Sequence, residues 1–188
     1  MNADKFSRLE SNASVPHDYG NLFFEEPCGP SFRLVIGPTA GWVDLLIELS
    51  AELGGDPRWI LYVLLVPRLG HRERGRYQSP PFEAHPELSA FLAAFRGYFE
   101  GDGRHHVWIG SAARDGLLVY DQHNVLFAYG PIERFKPILR SRGYNEQEFW
   151  FPAPHMHHYH EENDAEEERL MRELEWEYFP LQPGDEWN

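Results

Sequence analysis

Residues 59 to 66, Trp-Ile-Leu-Tyr-Val-Leu-Leu-Val, form an unbroken apolar run near the middle of this 188-residue chain. A run of this length, rich in β-branched and aromatic side chains, is typical of a strand that is covered on both faces. An edge position would leave half of these side chains in water. We therefore expect the run to be a central strand of a sheet onto which helices pack.

Strand-like and helix-like patterns alternate on both sides of this run. Strands are expected at residues 32–36, 106–110, 117–121, 125–129 and, at a sheet edge, 149–151. Helices are expected at residues 40–53 with Thr39 as the cap, 86–100, 137–143 and 164–179. We expect Pro137 to interrupt the helical segment that precedes it, because proline has no amide hydrogen to donate.

The order β-α-β-α-β-β-β-α-α predicts an α+β fold, with a mixed, largely antiparallel sheet of about five strands and helices packed on it. At 188 residues, one hydrophobic core is expected. We divide the chain into an irregular N-terminal arm (1–31), an α+β core (32–151) and a histidine-rich connector with an acidic C-terminal helix (152–188). The last segment is expected to belong to the same domain as the core.

The net charge of −13 is concentrated at one end of the chain. Residues 161–188 carry −9 of it, which leaves −4 for the other 160 residues. An acidic surface repels phosphate backbones, so we expect no nucleic-acid partner. There is no apolar segment of membrane-spanning length and no signal peptide, and the single Cys28 cannot form a disulfide within the chain. These features predict a soluble protein of the cytoplasm that does not bind membranes.

The acidic C-terminal segment suggests a protein-binding surface, because its acids alternate with aromatic side chains. The residues expected to contact the partner are Glu166, Glu167, Glu173, Trp176, Glu177 and Tyr178. We therefore predict an inhibitor or immunity-type protein that neutralises a basic partner protein. The same acids could instead bind the arginines of residues 68–76 within the chain, and that would remove the argument for an outside partner. A structural or self-associating protein, such as a homodimer, is a third interpretation.

A second hypothesis rests on four histidines that lie within six residues, namely His155, His157, His158 and His160. Imidazole nitrogens bind zinc and other divalent metal ions, so this stretch predicts a metal site and, as an alternative function, a metal-dependent hydrolase. In an extended segment only two of the four can face one ion, because successive side chains point to opposite sides. A histidine-rich connector without metal is the simpler interpretation.

The other residues that could carry chemistry have simpler explanations. Asp121 and His123 lie at a hairpin end and could form an acid/base pair, but both residue types also occur in ordinary turns. We expect one of His105 and His106 to face the core and the other the solvent. Cys28 lies beside acids, which disfavour a reactive thiolate. In the absence of a nucleophile or nucleotide-binding motif, we predict no catalytic residue and favour a protein that is not an enzyme.

Overall fold

The computed structural model of the protein describes residues 5–70 and 72–186, and in these ranges it contains twelve strands and five α-helices. The strands are β1 (Phe6–Glu10), β2 (Ala13–Pro16), β3 (Leu22–Cys28), β4 (Ser31–Gly37), β5 (Arg58–Leu64), β6 (Gly75–Gln78), β7 (His105–Ser111), β8 (Leu117–Tyr120), β9 (Leu126–Tyr129), β10 (Asn145–Glu146), β11 (His155–His157) and β12 (Glu177–Phe179). The helices are α1 (Trp42–Ala51), α2 (His85–Ala94), α3 (Arg96–Gly101), α4 (Ile132–Ser141) and α5 (Asp164–Glu173), and a 3-10 turn (Glu161–Asn163) precedes α5. None of the described helices has the length and apolarity needed to cross a membrane.

Nine strands form one mixed sheet in the order β10-β3-β4-β9-β8-β7-β5-β6-β12. Its neighbours are antiparallel except for β10 and β3, which are parallel. The apolar run gives β5, which lies between β7 and β6 as an interior strand. The predicted meander is also present as β7, β8 and β9. The predicted α+β class is thus confirmed, with more strands than the five expected.

The two faces of the large sheet bury different sets of side chains. On β8 and β9, Leu118 and Leu126 pack into the main core together with the helices. Val119 and Phe127 face the opposite way, into a smaller cluster with Phe6. This alternation is the two-residue period of a strand. The smaller cluster lies where the second sheet, in the order β11-β1-β2, meets the large one, and the histidines of the candidate site lie beside it.

The prediction of an irregular N-terminal arm is wrong, because residues 1–31 contain β1, β2 and β3. Ser11 and Asn12 adopt positive φ angles of 49° and 66° and form the two-residue turn of the β1–β2 hairpin. Positive φ at both central positions matches the right-handed twist of the strands that such a turn joins. The turn residues of this segment therefore connect strands.

Three predictions about helices are also wrong. Helix α4 runs without interruption through Pro137, because Phe135 and Leu139 on either side of it are fully buried and anchor both halves in the core. The predicted helix 86–100 divides into α2 and α3 at Phe95, whose φ and ψ of −110° and 12° are not helical. The N-terminus of α1 lies at Trp42 and is held by Glu100, which accepts a hydrogen bond from the Val43 amide at 2.8 Å, so Thr39 is not its cap.

The C-terminal helix is shorter than predicted, and the chain after it forms a strand. Helix α5 ends at Glu173, and β12 pairs antiparallel with β6, with Tyr178 opposite Tyr77. This pairing supplies partners for the backbone groups of β6, which would otherwise form an unprotected sheet edge. Residues 149–151, which were predicted to be an edge strand, form an irregular segment. The edge strand of the large sheet next to β3 is β10.

Candidate metal centre

Three histidines from two distant parts of the chain converge on one point. His123 lies in the turn between β8 and β9, and His155 and His157 lie on the same side of β11. Each histidine offers one ring nitrogen, and these three nitrogens all lie within 4.8 Å of one another. We refer to these three residues as the histidine triad.

Backbone pairing fixes the position of β11. The strand is antiparallel to β1, with His157 opposite Phe6 and His155 opposite Arg8. Just beyond the strand, the His158 amide donates to the Lys5 carbonyl at 3.0 Å, and the His158 carbonyl accepts from the Gly103 amide at 2.9 Å. The two histidines of β11 are thus carried by a strand with hydrogen bonds along its length.

His123 is held by the carboxylate of Asp121, which is almost fully buried. One oxygen of this carboxylate accepts the amide hydrogens of His123 at 2.9 Å and Val125 at 3.1 Å, which closes the turn. The other oxygen accepts the Nδ1 hydrogen of His123 at 2.7 Å. Asp121 therefore sets both the backbone and the ring orientation of His123.

The other two triad histidines are oriented in the same way. The Nδ1 of His155 donates to the carbonyl of Pro152 at 2.8 Å, and the Nδ1 of His157 donates to the carbonyl of Gln122 at 3.3 Å. In all three rings a hydrogen on Nδ1 leaves Nε2 with its lone pair, and we infer that Nε2 is the nitrogen able to bind a metal. An oxygen acceptor behind each imidazole is the usual second layer of a histidine metal site.

Electrostatics favours a neutral imidazole at His157. Burial, together with the neighbouring His123 and His155, lowers the pKa of His157 to about 4. Burial acts to raise the pKa of Asp121, but its hydrogen bond with His123, together with the charges of His123, His106 and Lys5, outweighs burial and lowers that pKa overall. At neutral pH the site therefore presents a neutral His157 beside an ionised Asp121, which is the state that metal binding requires.

Aromatic rings surround the triad. The ring of Phe6 lies 5.4 Å from His123, 5.3 Å from His155 and 5.5 Å from His157, measured between centroids. Phe151 lies 5.1 Å from the ring of His123. These contacts limit the rotation of the imidazoles and keep water away from one side of the site.

The triad opens onto a cavity of about 470 Å³. Five of its lining residues are phenylalanine or tryptophan, namely Phe24, Phe127, Phe149, Trp150 and Phe151. Its charged lining residues other than Asp121 are Glu26, Arg33 and Glu148. Arg33 binds Glu26 through its Nε at 2.6 Å and donates to the Tyr129 hydroxyl at 2.7 Å. The cavity is thus mainly aromatic, with a neutralised ion pair in its wall.

The structure brings two of the four predicted metal ligands, His155 and His157, to the candidate site. His158 lies elsewhere, with its Nε2 2.7 Å from the Ser7 hydroxyl. His160 lies near Glu162, at 4.0 Å between ring nitrogen and carboxylate. His123 was expected only to pair with Asp121 and not to bind a metal, although the Asp-x-His pair at a hairpin end marks it as a candidate for chemistry.

The acidic C-terminal segment binds arginines of the same molecule. Arg68 contacts Asp164 at 3.0 Å, and Arg72 contacts Glu167 at 3.2 Å. Further pairs in this segment join Arg72 to Glu168, Arg74 to Glu186 and Arg76 to Asp185. This pairing removes the main electrostatic argument for an outside basic partner.

The six predicted partner-binding residues occupy different environments. Glu167 is fully buried, and Trp176 packs against the core and donates to the Leu170 carbonyl at 3.1 Å. Glu166 pairs with Arg169 at 3.1 Å on the surface of α5. Glu173, Glu177 and Tyr178 are exposed, the last two as part of β12. The six do not form one uniformly exposed face.

The expectation that one of His105 and His106 faces solvent is wrong, because both are fully buried. They lie on β7, an interior strand whose two faces are covered. The ring of His105 stacks on Tyr98 at 4.7 Å, and burial lowers its pKa well below the usual value. Burial also lowers the pKa of His106 to about 4. Both are core residues that stay neutral at physiological pH.

Comparisons of this chain with protein-family models, curated proteins and solved structures find no match. A function for this protein therefore has to follow from the geometry and chemistry of the site itself.

Proposed function

We propose that this protein is a metal-dependent hydrolase whose metal ion, zinc by preference, is held by His123, His155 and His157. The observation that carries the proposal is the convergence of three imidazoles, each with an oxygen behind its Nδ1, at the wall of an open cavity. Catalytic zinc sites use three protein ligands and keep the fourth tetrahedral position for water or substrate. Three histidines beside a cavity fit that requirement.

The donor set fits a first-row transition metal better than magnesium or calcium. Imidazole nitrogen suits zinc, copper, nickel and iron, whereas magnesium and calcium prefer oxygen ligands. Zinc–nitrogen bonds of about 2.0–2.1 Å in a tetrahedron place ligand nitrogens about 3.3 Å apart. The triad nitrogens lie within 4.8 Å of one another, so metal binding would require them to approach by at most about 1.5 Å, which His155 and His157, being partly exposed, would supply by rotations small enough to keep the ring contacts.

A bound zinc ion would lower the pKa of its water to about 7 and polarise a substrate carbonyl. The carboxylates around it have different roles. Asp121 orients His123, and Glu26 forms an ion pair with Arg33. Glu148 is an exposed carboxylate in the cavity lining, and we assign it as the proton acceptor for the attacking water.

Metal analysis of untagged protein tests the site. Wild-type protein purified at pH 7 should contain about one zinc ion per chain, as expected for a single three-histidine centre. His123→Ala and His157→Ala should lose it. The matched control is His160→Ala, in the same histidine-rich stretch but outside the triad, which should keep the metal. Absence of zinc from the wild type, or equal loss in His160→Ala and His157→Ala, would contradict the assignment.

Hydrolysis of a panel of activated esters and amides tests the reaction. Zinc-loaded protein should hydrolyse at least one of them above the rate of free zinc, and a chelator should abolish the excess. Glu148→Gln should keep its zinc and lose about 10²- to 10⁴-fold in kcat, which is the usual contribution of a general base. Zinc-loaded protein that hydrolyses nothing in the panel would reduce the site to metal binding without hydrolysis.

A further inference from the structure

The cavity is far larger than a metal-bound water requires. Its volume of about 470 Å³ lies in the range of roughly 300–1,000 Å³ that small-molecule sites occupy, whereas one water takes up about 30 Å³. The space beside the triad can therefore hold an organic substrate. Its shape and chemistry are set by the residues around it.

The walls of the cavity are aromatic and held in place. Phe24 on β3 and Phe127 on β9 come from the large sheet, and Phe149 comes from the irregular segment before β11. The Phe149 ring lies 5.3 Å from Phe24 and 4.8 Å from Tyr19, within the spacing of favourable ring contacts. Because these rings pack on one another, the apolar wall exists before any ligand enters.

The Arg33 cation in the cavity wall is already paired. The Arg33 guanidinium lies over the Phe127 ring at 4.4 Å and pairs with Glu26. An anionic substrate would have to compete with Glu26 for Arg33 and would gain little from the rings. A planar apolar group gains from each ring that it touches.

Trp150 lines the same cavity and leaves most of its indole in water. It is 76% exposed, the highest value among the exposed large apolar side chains of residues 5–70 and 72–186. An exposed indole at the rim of an aromatic cavity offers a free face on which a second ring can stack. The binding of a ring there would cover surface that the protein alone leaves exposed.

We infer that the cavity binds substrates that carry an uncharged aromatic ring attached to a carbonyl group, with the ring between Trp150 and the phenylalanine walls and the carbonyl oxygen towards the histidine triad. This inference rests on the proposed metal-dependent hydrolase. It names the substrate class as aromatic esters or amides. It is independent of which residue accepts the proton.

Two hydroxamates that differ only in the ring provide the test. Acetohydroxamate and benzohydroxamate bind zinc through the same pair of oxygens, so their affinity ratio reports the contact made by the ring. In calorimetry with zinc-loaded, full-length protein, benzohydroxamate should bind about tenfold or more tightly, the effect of one or two aromatic contacts. Trp150→Ala should reduce this ratio while leaving acetohydroxamate binding unchanged.

Phe32→Ala is the matched control, because Phe32 is also an exposed aromatic residue, at 51%, but does not line the cavity. It should keep the wild-type ratio. Equal affinities of the two hydroxamates for wild-type protein, or an unchanged ratio in Trp150→Ala, would overturn the aromatic substrate class and leave the metal site intact. Zinc is titrated first in the same experiment, so failure to bind zinc identifies failure of the proposed function, and the inference then falls with it.

Discussion

Replacing Arg104 with methionine should destabilise the protein strongly, because its guanidinium is fully buried and all of its N–H groups are used. Nε and Nη2 donate to the two oxygens of Asp102 at 2.7 and 2.8 Å. Nη1 donates to Asp164 and Glu167, both at 2.8 Å, and Nη2 also donates to the His160 carbonyl at 2.9 Å. Arg104 thus joins α5 and the histidine-rich connector to the sheet.

The size of the effect follows from the carboxylates that remain. Asp102 and Glu167 are both fully buried, and methionine would leave Asp102 without its cation. Glu167 still has Arg72 at 3.2 Å, although the facing atoms of the two side chains are not aligned for a hydrogen bond. Arg72 therefore compensates only in part for the loss of Arg104. Breaking a buried ion pair in this way costs about 3–5 kcal/mol. Against a total stability of about 5–15 kcal/mol, that is a large fraction.

Urea unfolding followed by circular dichroism measures this loss. With a dependence of about 2 kcal/mol per molar urea, the midpoint of Arg104→Met should fall by about 2 M. The control is Tyr98→Phe, which keeps Arg104 and its carboxylates but removes a hydroxyl that lies 2.6 Å from the Tyr62 hydroxyl and donates to Glu167 at 3.4 Å. It should lose about 1–2 kcal/mol, as for two buried hydrogen bonds without a change of charge.

A triple variant separates the value of the ion pair from the penalty of breaking it. Adding Asp102→Asn and Glu167→Gln to Arg104→Met removes the orphaned charges, and it should recover a substantial part of the lost stability. Two results would contradict this role of Arg104. One is a loss of stability in Arg104→Met no larger than that in Tyr98→Phe, and the other is a triple variant whose loss equals the sum of the separate losses of its three substitutions.

Three further predictions concern the candidate site, pH and backbone conformation. Asp121→Asn should weaken zinc binding by about 10- to 100-fold, because the Nδ1 of His123 loses its carboxylate acceptor. A competition titration with a chelating dye measures the affinity, and an unchanged value would contradict the role of Asp121 in orienting His123. Burial lowers the pKa of Lys5 from 10.5 to about 7, against the opposing charges of nearby carboxylates, so above pH 7 the folded chain releases a proton that the unfolded chain still holds. The free energy of unfolding should therefore rise between pH 7 and pH 9 by up to about 1.4 kcal/mol per pH unit, and Lys5→Met should lose this rise in urea titrations. Gly130→Ala should destabilise by about 2 kcal/mol or more, because φ is +108° and a Cβ would lie 2.1 Å from the Asp115 carbonyl oxygen. Thermal unfolding of Gly97→Ala should show no loss, because Gly97 lies within α3 and its added Cβ would meet no atom within 4 Å.

The parts of the fold that could be predicted are those whose apolar pattern is local. The run that forms β5, the face of α1 and the turns of the β7–β8–β9 meander each carry their signal within about ten residues. Apart from β3, the strands that were missed have at most five residues. β1 pairs with β11 and β12 pairs with β6, so each of these strands depends on a partner far away in sequence. β11 carries two of the triad histidines.

The candidate site also has one part that could be predicted from local sequence and one part that could not. The two-residue period of an extended chain places His155 and His157 on one side, and that could be predicted from their spacing. His123 lies 32 positions before His155 in the sequence and reaches the site only because β11 pairs with β1 beside the β8–β9 turn. No local pattern marks that contact.

By itself, the sequence determined the α+β class, the central strand and the separation of charge, because burial of apolar residues and helix or strand periodicity act over short stretches. The tertiary structure decided where the charges and histidines meet. It placed the C-terminal acids against the arginines of residues 68–76 and brought His123 to the pair on β11. Both outcomes depend on pairing between distant segments, in which the energy of the assembled contacts selects the partner.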